Sequence, residues 1–284
     1  MKEVLVISGK GGTGKTSIIA SLAVLQKKIA VADCDVDAPD LHILLNPKKR
    51  SEKDFIGMKE AFMDEEKCTQ CGICRQVCEF DAISEDIKKI PFRCEGCAVC
   101  SWMCPEGAIR MEEVVTAKTY LSDIANGIMV HADLYPGAEH SGKLAGRVKT
   151  ILREQAEDKN FTKKLIDGPP GIGCPVISSL SGVDMALIVT EPTVSGIHDM
   201  ERTIGLCRHF NVEAKVVINK YSLNIEKSRE IEKYLKNEKC ELIEKIPFSG
   251  KFVDALRQCK TIVEFEPEGE LAKKIKSIND KLWS

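Results

Sequence analysis

The chain has 284 residues with a hydrophobic fraction of 43%, ordinary for a globular fold and too high for a disordered tail or a collagen-like fibre. Its 41 basic and 43 acidic residues leave a net charge of −2, so it lacks the positive field that holds phosphate backbones, and nucleic acid is not an expected partner. No run of about 18 apolar residues occurs and the first residues carry no basic segment before an apolar one, which excludes a transmembrane helix and a secretory signal and points to a cytoplasmic protein.

Residues Glu3 to Ile7 form a short apolar run ending at a glycine-rich turn, the pattern of a first parallel strand. From Lys15 to Lys27 the apolar positions Ile18, Ile19, Leu22, Ala23 and Leu25 recur at helical spacing, and Ile29 to Ala32 read as a second strand. The pattern breaks near Pro47 in the charged stretch PKKRSEKD and returns around Val114. Strands are then expected at Gly127 to Leu134, Lys164 to Asp167, Asp184 to Thr190, Ala214 to Asn219 and Leu242 to Ile246. Helices over Ser195 to His209 and Ile225 to Lys236 alternate with them. This alternation predicts an α/β fold: a doubly wound, mostly parallel sheet covered on both faces. Leu271, Ile275, Ile278 and Leu282, with Lys273, Lys274, Lys276 and Lys281 between them, form a basic amphipathic stripe at the C-terminus. Such a stripe suits either docking on the core or lying on a membrane; docking is the expectation, and membrane is not an expected partner.

Gly9-Lys10-Gly11-Gly12-Thr13-Gly14-Lys15-Thr16 fits G-x-x-x-x-G-K-[ST] between the first strand and the first helix. Glycines let backbone N–H groups converge on phosphate oxygens, Lys15 adds charge at the β and γ phosphates, and the Thr16 hydroxyl ligates magnesium. With Thr13 and Ser17 these residues form the expected site for ATP or GTP. Lys10, ahead of two adjacent glycines, makes the segment resemble the deviant Walker A family of MinD, Mrp, ArsA and the nitrogenase iron protein, whose signature is K-G-G-x-G-K-[ST]. The resemblance implies ATP as the nucleotide, an ATPase that is slow without its partner, a homodimer, and a Lys10 that reaches the partner subunit's phosphates during hydrolysis. Asp33-Cys34-Asp35 matches the family's switch I pair, which gives Asp35 the role of positioning the attacking water. Ile166-Asp167-Gly168-Pro169-Pro170-Gly171 matches the Walker B and switch II segment, with Asp167 near magnesium through a bound water. Asn219-Lys220 resembles the adenine-contacting Asn. This likeness covers roughly residues 1–50 and 114–284.

Of thirteen cysteines, eight crowd between Cys68 and Cys104, which in a reducing compartment points to metal rather than disulfides. Cys68, Cys71, Cys74, Cys78, Ala82 and Ile83 recur 26 positions later as Cys94, Cys97, Cys100, Cys104, Ala108 and Ile109. Each copy is the bacterial ferredoxin run C-x2-C-x2-C-x3-C, in which the fourth cysteine ligates the other cluster. Two 4Fe-4S clusters are therefore expected, one on Cys68, Cys71, Cys74 and Cys104, the other on Cys94, Cys97, Cys100 and Cys78. Zinc sites also use C-x2-C, but in pairs rather than duplicated triplets with a lone fourth cysteine. Pro105 follows the second run, whereas Glu79 stands at that place in the first. Taken whole, the chain is similar to MinD-superfamily P-loop ATPases with an inserted ferredoxin domain. The expected domains are an ATPase part over 1–58, the ferredoxin insertion over 59–113, and the rest of the ATPase over 114–284. The insertion leaves shortly after the switch I segment, so nucleotide state is expected to reposition the clusters.

Cys174 lies seven residues after Asp167, the offset at which the nitrogenase iron protein carries an interface cluster ligand. No second cysteine lies between Cys104 and Cys174, so two readings stand: a metal or cluster held by two Cys174 thiolates of a dimer, or a buried apolar thiol. Cys34, Cys207, Cys240 and Cys259 are expected to be structural, and His131 and His140 receive no role. The leading expectation is an ATPase coupled to electron transfer through its clusters to a client metalloprotein or redox partner. The alternative is an ATP-dependent carrier of clusters or metal of the Mrp type. Membrane partitioning is a third class, and it leaves the clusters unexplained.

Overall fold

A computed structural model describes residues 2–138 and 140–284; Met1 and Glu139 lie outside the described residues. In chain order the elements begin with β1 (Lys2–Ser8), α1 (Lys15–Val24), β2 (Ile29–Asp33), α2 (Leu41–Leu45) and β3 (Lys48–Met63). They continue with α3 (Ile73–Gln76), α4 (Val99–Trp102), β4 (Ile109–Ile124), β5 (Gly127–Leu134), α5 (Ser141–Asp158), β6 (Lys163–Pro170), α6 (Cys174–Leu180) and β7 (Met185–Thr190). The last are α7 (Val194–His209), β8 (Glu213–Ile218), α8 (Ile225–Asn237), β9 (Glu241–Lys245), α9 (Lys251–Arg257), α10 (Ile262–Phe265) and α11 (Glu270–Trp283). They divide into two compact units. The first holds the chain up to Glu52, Thr119–Asp133 and Ser141–Ser284; the second holds Lys53–Lys118 and Leu134–His140.

In the first unit the strand order runs β4-β5-β2-β6-β1-β7-β8-β9, and the pairings of β1, β2, β5, β6, β7, β8 and β9 among themselves are parallel. β1 is apolar on both faces because helices cover both. Its register sets Val6 beside Asp167, and that of β2 sets Asp33 beside Asp167. Parallel strands bring their C-terminal ends to one edge, so the turn after β1, Asp33 and Asp167 meet there. Ile18, Ile19 and Leu22 of α1 are fully buried, in one core with Leu271, Ile275, Ile278 and Leu282 of α11. Each such side chain contributes about 1.5–3 kcal/mol. The C-terminal apolar stripe is thus spent on the core, and among the described residues no helix is long and apolar enough to cross a membrane.

Two stretches differ from expectation. PKKRSEKD, expected to interrupt the pattern, lies largely within β3, whose first seven residues are exposed on both faces; the two-residue alternation that marks a strand begins only at Phe55. β4 likewise starts at Ile109, before Val114. The second unit is accordingly wider than 59–113. α5 lies outside the expected elements, although Leu144, Val148, Leu152 and Ala156 recur along it every four residues and are buried.

The second unit repeats its backbone as well as its cysteines. Gln70 and Gly96, Gly72 and Ala98, and Asp81 and Gly107 are pairs 26 residues apart, and all six have positive φ. In each pair only one member is glycine, so the conformation is imposed by the fold rather than by glycine alone. Ala82 and Ala108 are both buried, and their backbone N–H groups donate to Cys78 Sγ at 3.4 Å and Cys104 Sγ at 3.3 Å.

Candidate functional site

The turn between β1 and α1 lines a cavity of about 1410 Å³, open to solvent, with Asp35, Asp37, Asp40 and Pro170 on its other walls. Gly14 enters α1 at φ 89°, and a side chain there would strike Asn219 Nδ2. Asn219 is buried; its Nδ2 donates to Thr13 O at 2.7 Å, and its Oδ1 accepts from the Lys220 backbone N–H at 2.9 Å. The residue expected to read adenine is thereby tied to the phosphate-binding turn. Thr13 Oγ1 is buried with no hydrogen-bond partner among the described residues.

Lys15 is buried, with Nζ 2.5 Å from Asp167 Oδ1 and 3.7 Å from Asp35 Oδ2. Burial opposes its charge, but Asp167, Asp35 and Asp33 outweigh burial and raise its pKa. The Thr16 hydroxyl also bonds Asp167, so lysine, hydroxyl and carboxylate converge where a phosphate and its magnesium would lie. Asp33 is fully buried; Oδ1 accepts from Asp35 N and Oδ2 from Leu41 N, both at 3.1 Å. It braces the chain at both ends of the stretch from Asp35 to Leu41. Burial, then the charge of Asp167, pushes its carboxyl well above the ordinary range. Burial likewise raises Asp35, to about 6, with Lys15 opposing. Lys10 folds onto its own chain: Nζ lies 2.6 Å from Glu191 Oε1, 3.2 Å from Ser195 Oγ and 3.3 Å from Thr193 Oγ1. Glu191 is also bound by Lys220 at 3.1 Å, and Lys220 donates to Gly12 O at 2.8 Å. Burial pushes the Glu191 carboxyl up, but the two lysines outweigh it and hold it below its usual value.

In the second unit, one cavity of about 370 Å³ is lined by Cys68, Cys71, Cys74 and Cys104, and another of about 380 Å³ by Cys78, Cys94, Cys97 and Cys100. Burial raises Cys74 first, and among its neighbours the thiols of Cys68, Cys71 and Cys104 add to it. Cys100 is raised by burial and by Cys94, Cys97 and Cys78. Each cavity therefore brings together three cysteines of one copy and the fourth of the other. Among the described residues no group of three His, Cys, Asp or Glu side chains converges on one point as a single metal ion requires.

Residues 4–262 match the family described as the CobQ/CobB/MinD/ParA nucleotide binding domain. The chain belongs to this family. It is a MinD/ParA-type nucleotide-binding ATPase. An uncharacterized protein of Methanocaldococcus jannaschii is 38% identical over 226 residues, covering 78% of this chain and 79% of the relative. An iron-sulfur cluster carrier protein of the same organism is 21% identical over 227 residues, covering 78% of this chain and 60% of that one. The septum site-determining protein MinD of Pyrococcus horikoshii, solved with Mg-ADP, superposes with a TM-score of 0.63 at 17% identity, covering 99% and 96% of the two chains.

Other residues of this MinD/ParA-type ATPase are placed as follows. Cys174 is exposed at the start of α6, which removes the buried-thiol reading. Cys34 and Cys207 are buried, Cys240 half-buried and Cys259 exposed. His131 stacks on Tyr120 at 5.0 Å and on His42 at 6.0 Å. Asp33 lay within the motif but its role as a brace is visible only in three dimensions. Glu191 and Lys149 carry no motif at all, and Lys220 stood in the Asn219-Lys220 pair without a role of its own. Lys149, buried on α5, donates to the carbonyls of Ser178, Ser179 and Ser181 at 3.4, 2.7 and 2.5 Å, closing the C-terminal end of α6.

Proposed function

We propose that this ATPase couples ATP binding and hydrolysis to electron transfer through two 4Fe-4S clusters in an inserted ferredoxin module, delivering electrons to a partner metalloprotein. The observation that carries the reading is the division of eight cysteines into two similar cavities, each with the cross-copy fourth thiol of a bacterial ferredoxin. When bound, the clusters would supply one-electron storage. Cys68, Cys71, Cys74 and Cys104 would hold one, and Cys94, Cys97, Cys100 and Cys78 the other. The N–H groups of Ala82 and Ala108 stabilise the sulfurs of Cys78 and Cys104.

At the nucleotide site, Lys15 and the backbone of residues 9–14 bind phosphate, and Thr16, with Asp167 beside it, would hold magnesium, which would supply charge to the phosphates. Asp35 orients the attacking water. The arrival of phosphate takes Lys15 from Asp167, and switch I and switch II then respond through Asp33, which is hydrogen-bonded to the first and in register with Asp167. In a homodimer Lys10 would leave Glu191 for the partner subunit's phosphates; the exposure left to it, 32%, allows this. Cys174, exposed, is available to a metal or cluster at such an interface.

A second reading, an ATP-dependent carrier of clusters, is favoured by the relative whose name is iron-sulfur cluster carrier. Anaerobic purification followed by iron and sulfide analysis tests the clusters: two four-iron clusters per chain are expected, lost in part in Cys94→Ser. Spectra of the reduced clusters and electron delivery that are both indifferent to ATP and ADP would sink the coupling, while transfer of a labelled cluster to an apo-protein would favour the carrier.

A further inference from the structure

Lys10 spends its whole hydrogen-bonding capacity inside its own chain. A lysine ammonium has three N–H donors and no acceptor, and three acceptors surround this one: Glu191 Oε1 at 2.6 Å, Ser195 Oγ at 3.2 Å and Thr193 Oγ1 at 3.3 Å. All three lie between the end of β7 and the first turn of α7. That stretch is fixed independently of Lys10. The Thr193 hydroxyl caps α7 by accepting from Gly196 N at 3.0 Å, Thr190 Oγ1 donates to Gly196 O at 2.9 Å, and a side chain on Gly196 would strike Glu191 O. On the other side, Ser8 Oγ donates to Lys10 O at 2.8 Å and so sets the backbone from which the lysine reaches.

Glu191 answers two lysines at once. Its Oε1 faces Lys10 and its Oε2 faces Lys220 at 3.1 Å, while Lys220 also donates to Gly12 O at 2.8 Å. Neither Lys10 nor Glu191 lines the nucleotide cavity, whose wall takes up the turn again at Gly11. The contact therefore does not serve the chain's own phosphate site; it holds a phosphate-seeking cation away from it. With the Lys10 side chain 32% exposed and that of Glu191 13%, water weakens the pair without abolishing it. Lys10 is free to engage a second copy only after a carboxylate and two hydroxyls have let it go.

We infer that Glu191 is an autoinhibitory restraint on Lys10, which a second copy's phosphates must displace before Lys10 can reach them, and that it thereby sets the protein concentration at which ATP brings two copies together. The inference rests on the homodimer reading above. A bound nucleotide on the second copy brings several negative charges against the single carboxylate of Glu191, so a loaded copy can take the lysine where an empty one cannot. The exchange moves no proton and breaks no covalent bond. Each of two chains must release its own Lys10, so the cost of release enters the dimer constant twice.

The test uses the full chain, purified anaerobically, with magnesium and a non-hydrolysable ATP analogue, and measures the dimer dissociation constant by sedimentation equilibrium. Glu191→Gln keeps the shape of the side chain and one acceptor oxygen but removes the charge. It should strengthen self-association by about five-fold per chain, the worth of a partly exposed ion pair, and hence lower the constant by roughly 25-fold. Ser195→Ala removes one acceptor, leaves the carboxylate in place, and should lower the constant by about two-fold. Lys10→Met combined with Glu191→Gln should behave as Lys10→Met alone. An unchanged constant in Glu191→Gln would overturn the proposal. A raised one would do the same, by making Glu191 a support that presents Lys10 to the second copy. An equal gain in the Lys10→Met background would assign the effect to Lys220 and also overturn it. If neither wild type nor Glu191→Gln self-associates with the analogue, the homodimer reading fails; if wild type does so and Glu191→Gln shares its constant, the restraint alone fails.

Discussion

On the proposed reading the two units meet the same demand, holding a charged ligand, with opposite resources. In the first, the ligand-binding groups rest on an apolar core that includes Val4, Ile18, Leu22, Leu165 and the whole inner face of α11. They also bind one another: Lys15 with Asp167, Asn219 with the phosphate-binding turn, Lys10 with Glu191. In the second, the buried cluster is Ala61, Cys74, Ile83, Cys100 and Ile109, so two of the proposed ligands, Cys74 and Cys100, themselves form part of the small core. A site built on a core persists without its ligand, whereas a site that is the core depends on it.

The largest expected effect breaks the comparison directly. Anaerobic chelation of the iron-loaded chain should abolish amide-exchange protection across 53–118 while α1 and β1 keep theirs, read by hydrogen-exchange mass spectrometry. Equal protection in both units before and after chelation would show that the second unit needs no metal. Next in size is Lys15→Met, which removes the phosphate-binding charge and leaves Asp33, Asp35 and Asp167 facing one another. ATP hydrolysis should fall about 10²–10³-fold, with iron content unchanged; an unaltered rate would remove Lys15 from the chemistry.

The third effect concerns geometry alone. Gly14→Ala places a side chain at φ 89° and against Asn219, a combination expected to cost about 2 kcal/mol of stability in the first unit. Urea denaturation followed by the fluorescence of Trp283 checks this, in a Trp102→Gln background so that Trp283 is the sole reporter. A midpoint unchanged by the substitution would mean that the turn relaxes freely.

Legibility in the sequence followed the same division. β1, α1, β2, β5, β7, β8 and α8 could be read because covered strands are continuous apolar runs and helices carry stripes, and the phosphate-binding turn because its spacing is dictated by a phosphate. The cysteine grouping was an expectation from the bacterial ferredoxin spacing, in which the fourth cysteine of each run belongs with the other set. β3 was not, because its first residues are solvated on both faces and lose the alternation. Glu191, Lys220 and Lys149 could not be found because each acts by meeting a group remote in sequence, Lys149 at carbonyls about thirty residues away. The expected path of Lys10 to a partner subunit gave no hint that Glu191 receives it within the monomer.

The smallest effect tests a residue that no motif marks. Lys149 is buried against the end of α6, and burial first, then Arg153, lowers its pKa to about 8 from the ordinary 10.5. Between those two values the unfolded chain holds the proton more firmly than the folded one. Stability should therefore rise with pH through this window, by at most about 1.4 kcal/mol per pH unit from this group. Below pH 8 the lysine is charged in both states and its contribution is level. Lys149→Met removes the titration, so the stability difference between wild type and variant, measured by urea unfolding from pH 7 to 10.5, should be flat below about 8 and then shift in favour of wild type. Lys149→Met also strips donors from the carbonyls of Ser178, Ser179 and Ser181, an offset of about 1–3 kcal/mol that does not vary with pH. A difference that is constant across the whole range would show that Lys149 titrates as in water, and that α5 closes α6 by hydrogen bonding alone.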